Sequence, residues 1–236
     1  MTVNLTTLLA WVAGILALLA ARIAAILLLP TARRKLTQPP PGGLIRTLVV
    51  LGSGGHTAEM LQLTKGMDRK RYAPWYYVLA DSDTTSLGKL AAAAGGGGGG
   101  GGEGGGGGGK GAPPKPPPEG TVFRIPRSRE VGQGWLSTVL STARATAWAL
   151  ALTARLRPHL VVANGPGTCL PICVAAFALR VLGVADTRVV FCESWCRVKT
   201  LSLTGKLLYP IADRFVVQWP ELTAKYKRAE YLGVLC

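Results

Sequence analysis

Between Arg46 and Leu61 the chain reads RTLVVLGSGGHTAEML, an apolar run that breaks at Gly52-Ser53-Gly54-Gly55 and restarts beyond His56 with helical spacing. A backbone that leaves a strand and enters a helix within so few residues takes left-handed or crowded dihedrals. Glycine tolerates these, and its missing Cβ lets an anion approach the amides. The unit is therefore a strand, a turn of phosphate size, and a helix whose free N–H groups and positive end converge on that turn. His56 sits at the mouth, with Thr57 beside it and Glu59 in the first turn.

The same alternation continues along the chain. Thr47 to Leu51 is a continuous apolar run, as a buried parallel strand requires, and it leads into a helix from Thr57 to about Lys65. Trp75 to Ala80, Val122 to Ile125, Leu160 to Ala163, Arg188 to Cys192 and Arg214 to Gln218 repeat the strand signal. Trp135 to Leu156 is a long helical stretch ending before Pro158, and Cys169 to Leu182 is a helix closed by Gly183. Strands alternating with helices make an α/β fold, a Rossmann-like doubly wound parallel sheet, in which ligands sit beyond the carboxyl ends of the strands. The informative loops are then GSGGH, ADSDTTS, IPRSREV, NGPGTC and ESWCR.

Two segments stand outside that domain. Leu5 to Leu29 is almost entirely Leu, Ala, Ile and Val, interrupted by Arg22. At the centre of a bilayer span an arginine costs roughly 2.5–3.5 kcal/mol, but near the end its long stem reaches the headgroups. An apolar core from Leu5 to Ala21 is about 25 Å long, suited to the thinner endoplasmic reticulum bilayer. No Lys or Arg precedes Arg22, whereas Arg33, Arg34 and Lys35 follow, so the positive-inside rule puts the bulk of the chain in the cytosol. A cleaved secretory signal is the competing reading; the missing basic n-region and the length of the stretch favour an anchor. The second segment, Ala91 to Gly120, holds four alanines, two glycine runs around Glu103 and APPKPPPEG, and is expected to be a disordered insert in a surface loop. The expected organisation is an anchor at 1–30, a basic, proline-rich linker at 31–45, and one domain of about 165 residues from 46–90 and 121–236 around the insert at 91–120. Five cysteines without a dense framework suit a reducing compartment. The formal charge of +15 favours anionic partners, namely a lipid surface, a phosphorylated substrate or nucleic acid. With no aromatic or base-reading motif, nucleic acid is not expected.

Taken together and in order, LVVLGSGGHTAEML, RIPRSREV, NGPGTCLPICV, ESWCRVKTLSLTGKLL and DRFVVQWPEL resemble the asparagine-linked glycosylation protein 14 family, from about Thr47 to the C-terminus without the insert. Members of that family are membrane-anchor subunits of the UDP-N-acetylglucosamine transferase of dolichol-linked oligosaccharide synthesis. The resemblance implies the N-terminal, acceptor-binding half of a GT-B glycosyltransferase similar to bacterial MurG. Its partner would be a soluble UDP-GlcNAc-binding subunit of the asparagine-linked glycosylation protein 13 type, reached through the C-terminal tail. The implied reaction adds the second GlcNAc, in a β1,4 linkage, to dolichyl-diphosphate-GlcNAc on the cytosolic face of the endoplasmic reticulum. No cofactor is implied.

The resemblance also distributes roles. Gly52, Ser53, Gly54, Gly55 and Thr57 would cradle the acceptor diphosphate, and His56 would assist deprotonation of the acceptor hydroxyl or orient the diphosphate; an ordinary strand-to-helix turn is the alternative. Asn164, Gly165, Pro166, Gly167 and Thr168 form a second glycine loop able to share the same anion. Glu193 would accept a proton or bind the acceptor sugar, or else pair with Arg197. Arg127 and Arg129 would neutralise phosphates bidentately, against the alternative of a solvated charge run. Cys169/Cys173 and Cys192/Cys196 are spaced i, i+4, a weak zinc signal; no metal is expected, since the usual structural zinc spacing is tighter and small thiols pack well in cores. The stretch from Trp135 to Leu156 is a core helix or one lying against the membrane with Arg144 and Arg155 at headgroup level. The terminal YLGVLC either docks on the partner or forms a last strand. A recruiting scaffold with a vestigial pocket is the competing function.

Overall fold

The computed structural model describes residues 4–28, 43–95, 122–127, 134–165 and 167–235. Its centre is a seven-stranded sheet built from β1 (Thr47–Val50), β2 (Trp75–Ala80), β3 (Val122–Ile125), β4 (Leu160–Asn164), β5 (Arg188–Cys192), β6 (Arg214–Val217) and β7 (Ala229–Tyr231). The order is β3-β2-β1-β4-β5-β6-β7, and every neighbouring pair is parallel. Thr47 pairs with Trp75 on one side and Leu160 on the other, so the direction of winding reverses between β1 and β4. That reversal opens a crevice at the carboxyl end of the sheet.

The central strands β1, β4 and β5 have apolar interiors because helices cover both faces. Leu48, Val50, Val161 and Ala163 face one core, under α4 (Trp135–Leu156), α5 (Cys169–Val181) and α6 (Leu203–Leu208). Their neighbours Val49, Leu51, Leu160 and Val162 face the other, beneath Met60 of α2 (Gly55–Lys65) and Leu90 of α3 (Ser86–Gly95). The sequence reading missed α3, α6 and α7 (Glu221–Lys225), and the last strand expected at the tail starts earlier, as β7. The α3 helix runs into the first residues assigned to the insert, Ala91 to Gly95, whose alanines favour a helix; residues 96–121, the bulk of that insert, lie outside the described residues. The core-helix reading of α4 holds for one face. Ala145, Ala149 and Thr153 are buried while Val139, Leu140 and Trp148 are exposed. Of the terminal tail, β7 takes in Tyr231; Leu232 and Val234 are exposed, and the Leu235 amide donates to Gln218 Oε1 at 3.0 Å.

The apolar helix α1 (Leu5–Leu28) has no buried residue and, at about 36 Å, is long enough to cross a bilayer. Rather than reaching outward, Arg22 meets the domain: its Nη2 donates to Arg180 O at 3.2 Å, a carbonyl at the end of α5 that also accepts from the Gly183 amide at 3.1 Å. Arg180 and Arg188 both pair with the buried Asp213, at 2.6 and 3.3 Å, which ties that end of α5 to the start of β5 and β6. This junction lies at the amino ends of the strands, opposite the crevice.

Candidate functional site

The first glycine loop is anchored from below. Gly54 has φ +66 and stands at the N-cap of α2, so the helix begins at once with Gly55. The carbonyl of Gly52 accepts from Thr57 Oγ1, while Ser86 Oγ, 3.1 Å from that carbonyl and beside Thr57 Oγ1, donates to the Asp83 carboxylate. Asp83 caps α3 by accepting from the Ser86 amide at 3.0 Å and the Thr85 amide at 3.1 Å. Burial works against its carboxylate, but the bonds from Ser86 and Thr85 outweigh burial and hold it below the ordinary range. Thr57 is fully buried with its hydroxyl held in this network, which fixes the loop from beneath. Lys89, one turn into α3, places Nζ 2.6 Å from Gly54 O and so brings a cation to the loop.

Beyond that loop the crevice closes around His56. Its Nδ1 lies 3.2 Å from Asn164 Oδ1 at the end of β4 and 3.8 Å from Glu59 Oε2 on its own helix. The ring rests against Gly165, which has φ +66; a Cβ there would stand 2.6 Å from His56 Cε1. Glu59 Oε1 accepts from Ser194 Oγ at 2.9 Å, tying α2 to the loop after β5. In that loop Glu193 is fully buried. Its carboxyl accepts from the Ser194 amide at 3.1 Å, the Ser202 amide at 2.9 Å and Ser202 Oγ at 3.1 Å. Burial pushes Glu193 above the ordinary carboxyl range; the Ser202 and Ser194 bonds and the Arg197 charge pull the other way without reversing it. The expected alternative of a Glu193–Arg197 ion pair is not formed among the described residues.

These groups line a cleft of about 320 Å³: Gly55, His56 and Glu59 from α2, Gly165 after β4, and Glu193, Ser194, Cys196, Arg197 and Ser202 after β5. Loops that are far apart in sequence thus meet at the switch point. His56, Glu193, Gly55 and Gly165 were expected there. Glu59, Ser194, Ser202 and Arg197 were missed as site residues; the signal for Ser194 and Arg197 lay in ESWCR following a strand, whereas Glu59 and Ser202 lie outside that loop. Arg127 does not join them. It sits beyond β3, two strands from β1, with Nη1 3.5 Å from Ser82 Oγ. Arg129 lies outside the described residues, as does Pro166. Ser53 is exposed on the first loop; Gly167 and the largely buried Thr168 lead into α5, whose start receives no side-chain cap from Thr168. Cys169 and Cys173 are buried packing groups. Burial pushes Cys169 up to about 12 and Cys173 well above the usual thiol value, so both stay protonated and weak as ligands.

Comparison with known proteins adds a family. The family model described as oligosaccharide biosynthesis protein Alg14 like matches residues 47–235. The chain is 43% identical over 186 residues to the UDP-N-acetylglucosamine transferase subunit ALG14 of Rattus norvegicus, covering 79% of this chain and 81% of that protein. It is 41% identical to the Homo sapiens subunit, covering 82% and 84%, and 38% identical over 231 residues to that of Yarrowia lipolytica, covering 98% and 99%. Among solved structures, MurG of Acinetobacter baumannii superposes with a TM-score of 0.52 at 14% identity, over 80% of this chain and 45% of that one. UDP-N-acetylglucosamine 2-epimerase of Rickettsia bellii gives 0.50 at 10% identity, over 81% and 45%. The chain therefore spans less than half the length of these structures and shares one GT-B-like α/β unit with them.

Proposed function

The chain belongs to the Alg14 family of oligosaccharide biosynthesis proteins, and from that premise we propose that it is the membrane-anchoring, acceptor-binding subunit of a two-part UDP-GlcNAc transferase. In this reading α1 holds the chain in the endoplasmic reticulum membrane with the domain in the cytosol. A soluble subunit of the asparagine-linked glycosylation protein 13 type, docking at the C-terminal tail, brings UDP-GlcNAc. The assembled enzyme adds the second GlcNAc, β1,4 and with inversion, to dolichyl-diphosphate-GlcNAc. The observation that carries the reading is the convergence, in one cleft at the switch point, of an imidazole, a buried carboxyl, a helix start bounded by glycine and a guanidinium.

The chemistry follows from those groups. The acceptor 4-hydroxyl oxygen attacks the anomeric carbon of UDP-GlcNAc, the bond from that carbon to the diphosphate breaks, and UDP leaves with the electron pair. His56 takes the hydroxyl proton as the new bond forms. The acceptor diphosphate lies against the start of α2, where free amides and the helix dipole favour an anion, with Arg197 and Lys89 as its cations in place of Arg127. Glu193, held in place by Ser194 and Ser202, faces the acceptor sugar.

The test is GlcNAc transfer from UDP-GlcNAc to a dolichyl-diphosphate-GlcNAc analogue by the full chain alone, by the chain with the soluble subunit, and by the His56→Ala chain with the soluble subunit. Transfer should require both subunits. His56→Ala should leave assembly intact and lower the rate by about 10²–10⁴-fold, the usual size of a general-base contribution. An unchanged rate would leave this chain as a recruiting scaffold.

A further inference from the structure

We infer that Asn164 and Glu59 are positioning residues that hold His56 in a single tautomer, with Nδ1 protonated and turned into the fold and Nε2 offered to the cleft. The inference deepens the proposed transfer reaction and rests on it for its catalytic meaning, but its geometry stands on the structure alone. Asn164 Oδ1 lies 3.2 Å from His56 Nδ1, and an amide oxygen can only accept, so a neutral ring must carry its proton on Nδ1. Nε2 has no hydrogen-bond partner among the described residues, and the side chain is 34% exposed on the cleft. Nε2 is thus the nitrogen left with a free lone pair.

Two further observations show that the arrangement is built. Asn164 is fully buried, and its Nδ2 has no hydrogen-bond partner among the described residues. An apolar side chain would fill that position without leaving a buried polar atom unsatisfied, so the amide serves its bond to the ring. Glu59 Oε2 stands 3.8 Å from the same Nδ1, beyond a hydrogen bond but close enough for its charge to act, while Ser194 Oγ holds the other oxygen at 2.9 Å. When Nε2 takes the hydroxyl proton the ring becomes a cation, and the carboxylate across Nδ1 stabilises it. The bare face of Gly165 is what lets the ring lie between these partners.

The chain has two histidines, and the second supplies an internal contrast. His159 Nδ1 accepts from the Arg46 amide at 3.2 Å, so its proton belongs on Nε2. Burial and the Arg46 charge hold His159 below the ordinary imidazole range, which keeps it neutral. The experiment is a long-range ¹H–¹⁵N spectrum of the full chain in detergent, labelled on histidine ring nitrogens, at about pH 8.5, above the ordinary imidazole range. The two rings should show opposite tautomers, with Nδ1–H for His56 and Nε2–H for His159. Asn164→Leu should convert His56 to a mixture and lower kcat of the complex with the soluble subunit by about 10–100-fold, with KM for the acceptor nearly unchanged. Asn164→Asp, which keeps an acceptor oxygen, should restore the tautomer and most of the turnover. Glu59→Gln should keep the tautomer yet lower kcat. A wild-type His56 in the Nε2–H form, or an unchanged tautomer in Asn164→Leu, overturns the inference. The wild-type spectrum needs no variant to fold and no substrate, so it decides the geometry even if transfer fails; absent transfer would sink the proposed reaction instead.

Discussion

Gly205→Ala sets two ordinary rules against each other. Gly205 lies within α6, and its amide donates to Ser202 Oγ at 2.9 Å. By helix propensity alone, alanine there should stabilise the chain by about 1 kcal/mol. The added Cβ would, however, stand 2.2 Å from Glu193 Oε2, 3.1 Å from Ser202 Oγ and 3.3 Å from Glu193 Cδ. Glu193 is not a flexible surface tip: it is buried and held by the three bonds from Ser194 and Ser202. To admit the methyl the carboxyl must withdraw and give up those bonds. At about 0.5–1.5 kcal/mol each for a neutral group, and more if ionised, the loss is about 2–4 kcal/mol. The net expectation is a destabilisation of about 1–3 kcal/mol, read as a shift in denaturant midpoint at unchanged slope for the full chain in mild detergent. In a Glu193→Ala background the same Gly205→Ala change should become neutral or stabilising, and this reversal of sign is the decisive coupling. Burial also raises the Glu193 carboxyl. Its ionisation therefore opposes the fold, and the advantage of the wild type over Glu193→Ala should be full below the ordinary carboxyl range and decline as pH rises through the raised folded value. If Gly205→Ala stabilises the wild type by the propensity amount, the account of Glu193 as a fixed, buried group is wrong.

Gly165→Ala combines a positive φ with a collision against the His56 ring, so stability should fall by about 1–2 kcal/mol and transfer by the complex should fall with it; full transfer would mean that the ring does not need this seat. Arg197→Ala should raise the acceptor KM by about 10–100-fold, the worth of a charge-assisted contact, while Arg127→Ala, outside the cleft, should leave it nearly unchanged. In native alkylation followed by mass spectrometry, the exposed Cys196 should react while the buried Cys169, Cys173 and Cys192 wait for denaturation. Asp83→Ala removes the cap of α3 and should cost about 1–2 kcal/mol near neutral pH. Because Asp83 is held below its ordinary value, that cost should vanish as pH falls through the depressed folded value.

The strands were legible because a parallel sheet covered on both faces demands uninterrupted apolar runs, and TLVV, LVVAN and RVVFC are such runs. Periodicity needs length, so the six residues of α6 and the five of α7 left no trace of it, although Ser202 ahead of Leu203 was a capping signal. The edge strand AEY is half polar, and α3 was hidden by alanines and glycine that merge with the insert. At the site, His56, Gly55, Gly165 and Glu193 could be read because loops after strands gather at one edge. The bond from Ser194 to Glu59 spans 135 residues, and local spacing carries no such information. Arg127 stands apart from the cleft for a related reason: a loop after a strand is at the same edge, but strand order decides how far along it, and β3 is the outermost strand on its side.

Glycine fills positions 95 to 109 apart from Glu103. The segment holding this run leaves the described fold at Gly95, the last residue of α3, and re-enters at Val122, the first residue of β3. The α3 helix starts beside the first glycine loop and runs away from it, so both points lie at the edge of the sheet opposite the cleft. Residues added or removed between those two points therefore enter on the far side of the sheet and leave the spacing of His56, Asn164 and Glu193 unchanged.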